Sequence, residues 1–128
     1  MIVDSSAIIA IFMQEPGFEE VLTKLQGAMS KGIGGPTLAE AGIVLTARMR
    51  RNAIGLLARF TQELDVITVP FGQDHWKEAV DAFDMYGRGR HRASLNFGDC
   101  MTYAVAKLSG EPLLCVGNDF EQTDLKIA

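Results

Sequence analysis

The chain has 128 residues, 48% hydrophobic and 22% charged, which suits one folded domain spanning residues 1–128 and is too apolar for disorder. Its longest apolar run, Ala7 to Met13, is seven residues against the roughly 20 that a membrane-spanning helix needs, so no membrane role is expected. The net charge of −4, from 12 Lys+Arg against 16 Asp+Glu, argues against wrapping duplex DNA.

A charged residue at position 4, with no small-residue cleavage site after it, gives no sign of a signal peptide. Cys100 and Cys115 each lie in an apolar run and read as reduced core thiols, so the expected compartment is the cytoplasm. Half of the basic residues fall in two windows, Arg48, Arg50 and Arg51, then Arg88, Arg90 and Arg92.

In chain order, Met1 to Val3 reads as a short strand ending at Asp4. Ser5 and Ser6 are expected to cap a helix running to Met13, which Pro16-Gly17 breaks. Phe18, Val21, Leu22 and Leu25 repeat at helical spacing up to Gly27. Gly32 to Gly35 reads either as a strand or as a close-packed turn. Pro36 suits the first turn of a helix that carries Glu40 and ends near Arg51. Asn52 opens another helix, with Ile54, Leu57, Ala58 and Leu64 expected inside.

Val66 to Val69 is a β-branched strand closed by Pro70. Asp74 to Tyr86 reads as a helix with Trp76, Ala79, Val80 and Phe83 on one face. A basic loop from Gly87 to Phe97 leads into a helix starting at Gly98-Asp99 and stopped by Gly110. Pro112 to Val116 is a strand, Gly117-Asn118-Asp119 a turn, and Leu125 to Ile127 a last short strand. Strands separated by helices predict an α/β fold with a mostly parallel sheet covered on both faces.

Such sheets bind ligands outside the carboxyl ends of their strands. Asp4 and Asp119 follow strands, while Glu40 and Asp99 sit near helix starts, so the four carboxylates are expected to converge. Clustered carboxylates repel one another unless a cation joins them, and Mg²⁺ or Mn²⁺ takes such oxygen ligands. Each acid also has a plainer reading: a cap at Asp4, first-turn acids at Glu40 and Asp99, a turn residue at Asp119. Arg88, Arg90, His91 and Arg92 read either as a solvated loop that answers nearby acids or, beside a metal–carboxylate cluster, as phosphate contacts with Tyr86 and Phe97 near for base stacking.

Met-Ile-Val-Asp4-Ser-Ser6 at the start, Glu40, the run from Tyr86 through Asn96 and Asp99 to Cys100, and the stretch from Pro112 through Gly117-Asn-Asp119 to Asp124 resemble the PIN-domain ribonucleases. More narrowly they look like VapC, the toxin of VapBC toxin–antitoxin pairs. The resemblance implies a PIN-like fold and a Mg²⁺- or Mn²⁺-dependent endoribonuclease acting on tRNA, rRNA or mRNA. It maps catalytic acids to Asp4, Glu40, Asp99 and Asp119, with Asp4 and Asp99 as direct metal ligands. Ser6, Asn96 and Asn118 have supporting places, and Asn118 and Asp119 compete for the last acidic position. A VapB-type antitoxin and a homodimer are implied partners, and the apolar first helix, with Ile8, Phe12 and Met13, is the surface expected to dimerise.

Two other classes remain open at this point. An inactive PIN-like RNA-binding module would lack part of the acid set, and all four positions are filled. A phosphorylation receiver needs an acid after a central strand, whereas Val66 to Val69 runs into Pro70-Phe71.

Overall fold

The computed structural model describes all residues from Met1 to Ala128. Its elements are β1 (Ile2–Val3), α1 (Ser5–Met13), α2 (Phe18–Gly27), β2 (Lys31–Gly34), α3 (Gly35–Met49), α4 (Ile54–Glu63), β3 (Val66–Val69), α5 (Gln73–Tyr86), α6 (Phe97–Ser109) and β4 (Leu113–Leu114). A single 3-10 turn, Phe120–Gln122, follows β4. The strands form one sheet in the order β3-β2-β1-β4, and every pair is parallel. A receiver-like sheet has the order 2-1-3-4-5 instead, so the topology excludes that alternative.

Strand periodicity divides the core into two layers. Ile2 and Leu113 join Tyr103, Val105 and Phe120 on the face covered by α5 and α6. Val3, Ile33 and Leu114 join Ile8, Leu25, Leu45 and Leu57 on the face covered by α1 to α4. The expected two-sided α/β sheet is what the chain forms, and no helix is long and apolar enough to cross a membrane.

Gly32 to Gly35 resolves into a strand, β2, followed at once by α3. The glycine at position 34 is there for close approach: a Cβ would stand 2.8 Å from Cγ2 of Val105, itself buried on α6. Gly34→Ala should therefore destabilise by about 1–3 kcal/mol, the usual range for overpacking. Urea unfolding checks this, and an unchanged midpoint would show that α6 is free to move away.

Several local expectations change. Asp4, rather than Ser5 or Ser6, is the N-cap of α1, because its side chain accepts the Ser6 N–H. Helix α3 ends at Met49, and α4 begins at Ile54. On α4, Leu57 is buried, but Ile54 is 72% exposed and Ala58 lies outside the core. The apolar face on α5 exists, yet of its four members only Ala79 is buried. The strand expected over 112–116 is only Leu113–Leu114, and the last strand is one parallel bridge, Leu113 to Ile127. Cys100 is buried as expected, whereas Cys115 is half-buried.

Candidate functional site

Helical connections carry the chain from β1 to β2 to β3 on one side, and β4 then returns to the other side of β1. The strand order thus reverses between β1 and β4, and the carboxyl ends of strands at such a reversal are where an open α/β sheet places its ligand site. Asp4 immediately follows β1 there. Helix α3 springs from the end of β2 and presents Glu40; α6 presents Asp99 in its first turn.

Asp4 is 5% exposed, yet its carboxylate is well held. Its Oδ2 accepts the Ser6 N–H at 3.1 Å and the Ser6 hydroxyl at 2.6 Å, and its Oδ1 accepts the Thr102 hydroxyl at 2.8 Å. Ser6 Oγ in turn accepts the Val116 N–H at 3.0 Å, which ties the turn after β4 to the start of α1.

Asp99 and Asn96 form a reciprocal capping box at the start of α6. Asn96 Oδ1 accepts the Asp99 N–H at 2.9 Å, and Asp99 Oδ2 accepts the Asn96 N–H at 3.0 Å. The resemblance gave Asn96 a supporting place; physically, it fixes the rotamer of Asp99. Burial pushes the Asp99 carboxyl up to about 6, and the charges of Asp4, Asp119 and Glu40 add to this against the Asn96 N–H.

Glu40 is raised as well, first by burial and then by Asp4, while the Ser5 hydroxyl offsets part of the rise. Its carboxylate occupies the space that a side chain at Gly98 would fill: a Cβ there would meet Oε2 at 2.8 Å and Oε1 at 2.9 Å. Gly98 therefore seats Glu40 beside Asp99.

Asp119 and Asn118 are both exposed. Asp119 is near enough for its charge to help raise the Asp99 carboxyl. Glu121 is a further acid at this edge: with burial foremost, and with Asp4, Asp119 and Asp99, it pushes the Cys115 thiol up to about 12. Cys115 is thus a protonated thiol at neutral pH.

None of Asp4, Glu40, Asp99 and Asp119 belongs to an ion pair. A cluster of hard oxygen donors whose mutual repulsion no side-chain cation relieves suits a divalent cation. No three acidic side chains stand close enough to hold one ion together. At most two of these carboxylates could therefore bind one ion directly, a number that Mg²⁺, which keeps several waters, accepts.

The basic loop divides. Arg90 pairs with Asp84 at 3.0 Å and lies over the Phe83 ring, 5.5 Å from its centroid. His91 accepts the Ala93 N–H on Nδ1 at 3.0 Å and meets the Tyr86 ring edge-on at 5.1 Å. Tyr86 also packs on buried Tyr103, with centroids 5.7 Å apart, so of the two aromatics only Phe97, 80% exposed, presents a free ring. Arg88 and Arg92 are exposed and unpaired.

Thr37 and Thr102 are absent from the sequence-derived site. Both are 1% exposed, and their hydroxyls are 3.0 Å apart. The available signal is spacing: Thr37 is three residues before Glu40 and Thr102 three after Asp99, so each shares a helix face with an acid.

Comparison with known proteins agrees with this fold. The PIN domain family matches residues 1–126. The chain is 49% identical to Ribonuclease VapC36 of Mycobacterium tuberculosis and to VapC ribonuclease Mb2004c of Mycobacterium bovis, over 98% of its own length and 91% of theirs. VapC ribonuclease R02377 of Rhizobium meliloti is 38% identical over 96% of this chain and 97% of that one. Among solved structures, Mycobacterium tuberculosis VapC20, described as a sarcin-ricin loop cleaving toxin, superposes with a TM-score of 0.79 at 17% identity, covering 99% of this chain and 97% of that one. A toxin-antitoxin complex from Klebsiella pneumoniae gives 0.72 at 18% identity, covering 99% and 95%, and these two likenesses bear on fold alone. The chain belongs to the PIN-domain family, in its VapC branch.

Proposed function

We propose that this chain is a Mg²⁺-dependent endoribonuclease, with Mn²⁺ as an alternative ion, and the toxin of a VapBC pair. The observation that carries this reading is the set of four unpaired carboxylates at the strand-order reversal, with Asp99 pushed up to about 6 by burial and by its neighbours' charges. The names of its VapC relatives support the nuclease class.

Asp4 and Asp99 would hold the ion, each fixed beforehand by its own hydrogen bonds. A bound Mg²⁺ or Mn²⁺ supplies an acidified water and neutralises charge gathering on the scissile phosphate. Glu40 orients the attacking water and takes its proton, since burial and Asp4 raise its proton affinity. The water oxygen forms a bond to phosphorus while the bond to the leaving ribose oxygen breaks, and that oxygen takes up a proton from solvent as Glu40 gives its own back. Asp119, exposed at the rim, holds outer waters, and Arg88 and Arg92 grip flanking phosphates.

Incubation with tRNA and rRNA tests the reading directly. Cleavage is expected with Mg²⁺ and none in excess EDTA; undiminished cutting in EDTA would overturn it. Gly98→Ala probes the seat of Glu40. A flexible side-chain end can yield to the new methyl, so stability should change by less than about 1 kcal/mol. Cleavage should fall roughly tenfold because the base is displaced. Wild-type cleavage by the Ala variant would free Glu40 from that role.

For partners we infer a VapB-type antitoxin and a second copy of the chain. The first helix offers little of this surface, since Ile8 is fully buried, Phe12 packs tilted against Phe60 with centroids 5.2 Å apart, and of the three only Met13, 39% exposed, is open. The support comes from two open apolar grooves. One, of about 730 Å³, lies between α3 and α4 along Leu38, Ile43 and Ile54; the other, of about 560 Å³, runs along Trp76, Val80, Phe83 and Phe97. Apolar surface of this kind marks interaction sites. Sedimentation at micromolar concentration should show a dimer, and a monomer would count against self-association.

A further inference from the structure

The hydrogen bonds around Asp4 specify more than its burial. A carboxylate offers about four lone-pair sites, two on each oxygen. Ser6 N–H and Ser6 Oγ–H occupy both sites on Oδ2, and Thr102 Oγ–H occupies one on Oδ1. One site is left, on Oδ1.

The Thr102 hydroxyl has a single proton, which goes to Asp4. In the 3.0 Å contact between the two threonines, Thr37 must therefore be the donor. Two buried hydroxyls, one from α3 and one from α6, thus form a chain of fixed polarity ending on the oxygen that still has a free site. Both helices also carry an acid of the cluster one turn away, Glu40 and Asp99, so the same chain sets the spacing between the elements that bear them.

We propose that Thr37 and Thr102 are positioning residues that aim Asp4, so that it takes a divalent cation through the one free site of Oδ1 as a single-oxygen ligand. This rests on the metal-centre reading above. Hydrogen-bonding partners of metal ligands act in this way: they fix the ligand's orientation, and their loss costs about 10–100-fold in metal affinity. Two threonines that merely satisfied each other in the core would affect stability alone.

The test is titration of the purified protein with Mn²⁺ alone, followed by calorimetry and by the spin-resonance signal of the free ion, with no RNA present. Thr102→Val should bind Mn²⁺ about tenfold more weakly, and Thr102→Ser, which keeps the hydroxyl, should bind within about twofold of wild type. The double variant Thr37→Val/Thr102→Val leaves no buried hydroxyl without a partner and serves as the folded alternative should the single variant be unstable. It should show the same tenfold loss. Unchanged or tighter binding by Thr102→Val or by the double variant would overturn the proposal, as would a tenfold loss in Thr102→Ser. Asp4→Asn separates the two levels: if it also binds like wild type, the metal centre itself is wrongly placed, whereas loss there with none in the threonine variants refutes only the positioning role.

Discussion

Asp99→Asn should abolish RNA cleavage and at the same time stabilise the metal-free protein. The loss of cleavage, at least about a hundredfold, follows from removing one of two carboxylates that would hold the ion stabilising the transition-state charge. The gain in stability follows first from the burial of the same carboxylate and then from the repulsion it suffers. Asp99 titrates at about 6 in the fold, against an ordinary value of 3.8, with burial the main cause and Asp4, Asp119 and Glu40 the others. A group raised in this way gives its stabilising contribution below its unfolded value, and that contribution is lost as pH rises through its folded value. Between about pH 4 and pH 6 the metal-free wild type should therefore lose stability as pH increases.

The shift corresponds to roughly 3 kcal/mol at most, and solvent screening at a half-buried carboxyl reduces this to about 1 kcal/mol. In a domain of this size, that is a melting temperature about 3–5 °C higher for the Asn variant at pH 7. The variant keeps an oxygen that can accept the Asn96 N–H, so the capping box survives. Mg²⁺ should raise the melting temperature of the wild type and have less effect on the variant. Thermal scans at pH 5 and pH 7, with and without Mg²⁺, check all of this. A variant less stable than wild type at pH 7 would contradict the repulsion, and one that cleaves at the wild-type rate would contradict the metal role.

This opposition between stability and chemistry also explains what could be read from the sequence. Asp4 and Asp99 stand out as charged residues at the end of a strand and the start of a helix, and Glu40, in the second turn of α3, as an acid amid apolar neighbours. Chain order alone then brings them to one edge of a parallel sheet. Thr37 and Thr102 do not stand out, because a threonine on a helix is unremarkable until its hydroxyl is known to be buried with a carboxylate to serve. Periodicity likewise identifies an apolar face on α5 but not whether anything in the chain covers it. Trp76 and Val80 satisfy the pattern and remain exposed. The basic loop misleads in the opposite way. The sequence offers four positions alike for phosphate contact, whereas the fold ties Arg90 to Asp84 and Phe83 and turns His91 onto Tyr86.

The second large effect belongs to the two arginines left free. Replacing both Arg88 and Arg92 by Ala should weaken RNA binding by about tenfold or more at physiological salt and reduce its salt dependence. On a single strand, each phosphate that is no longer neutralised lowers the slope of log affinity against log salt by about 0.7, so the double variant should give up about 1.4. Arg90→Ala should have a much smaller effect, because its guanidinium already answers the Asp84 carboxylate. Measuring these affinities on the Asp99→Asn background keeps the RNA intact. In the active protein, the arginine changes should raise KM and leave kcat nearly unchanged, since the grip on flanking phosphates is as strong in the bound ground state as in the transition state. An RNA-binding module without activity would show this arginine effect with no cleavage for Asp99→Asn to abolish. If Arg90→Ala proved as damaging as the double change, the Asp84 pair would have to open when RNA binds, with Arg90 joining the grip on phosphate. If none of the three mattered, RNA would reach the carboxylates by another surface, and the loop between α5 and α6 would serve mainly to hold Asn96 and Asp99 in place.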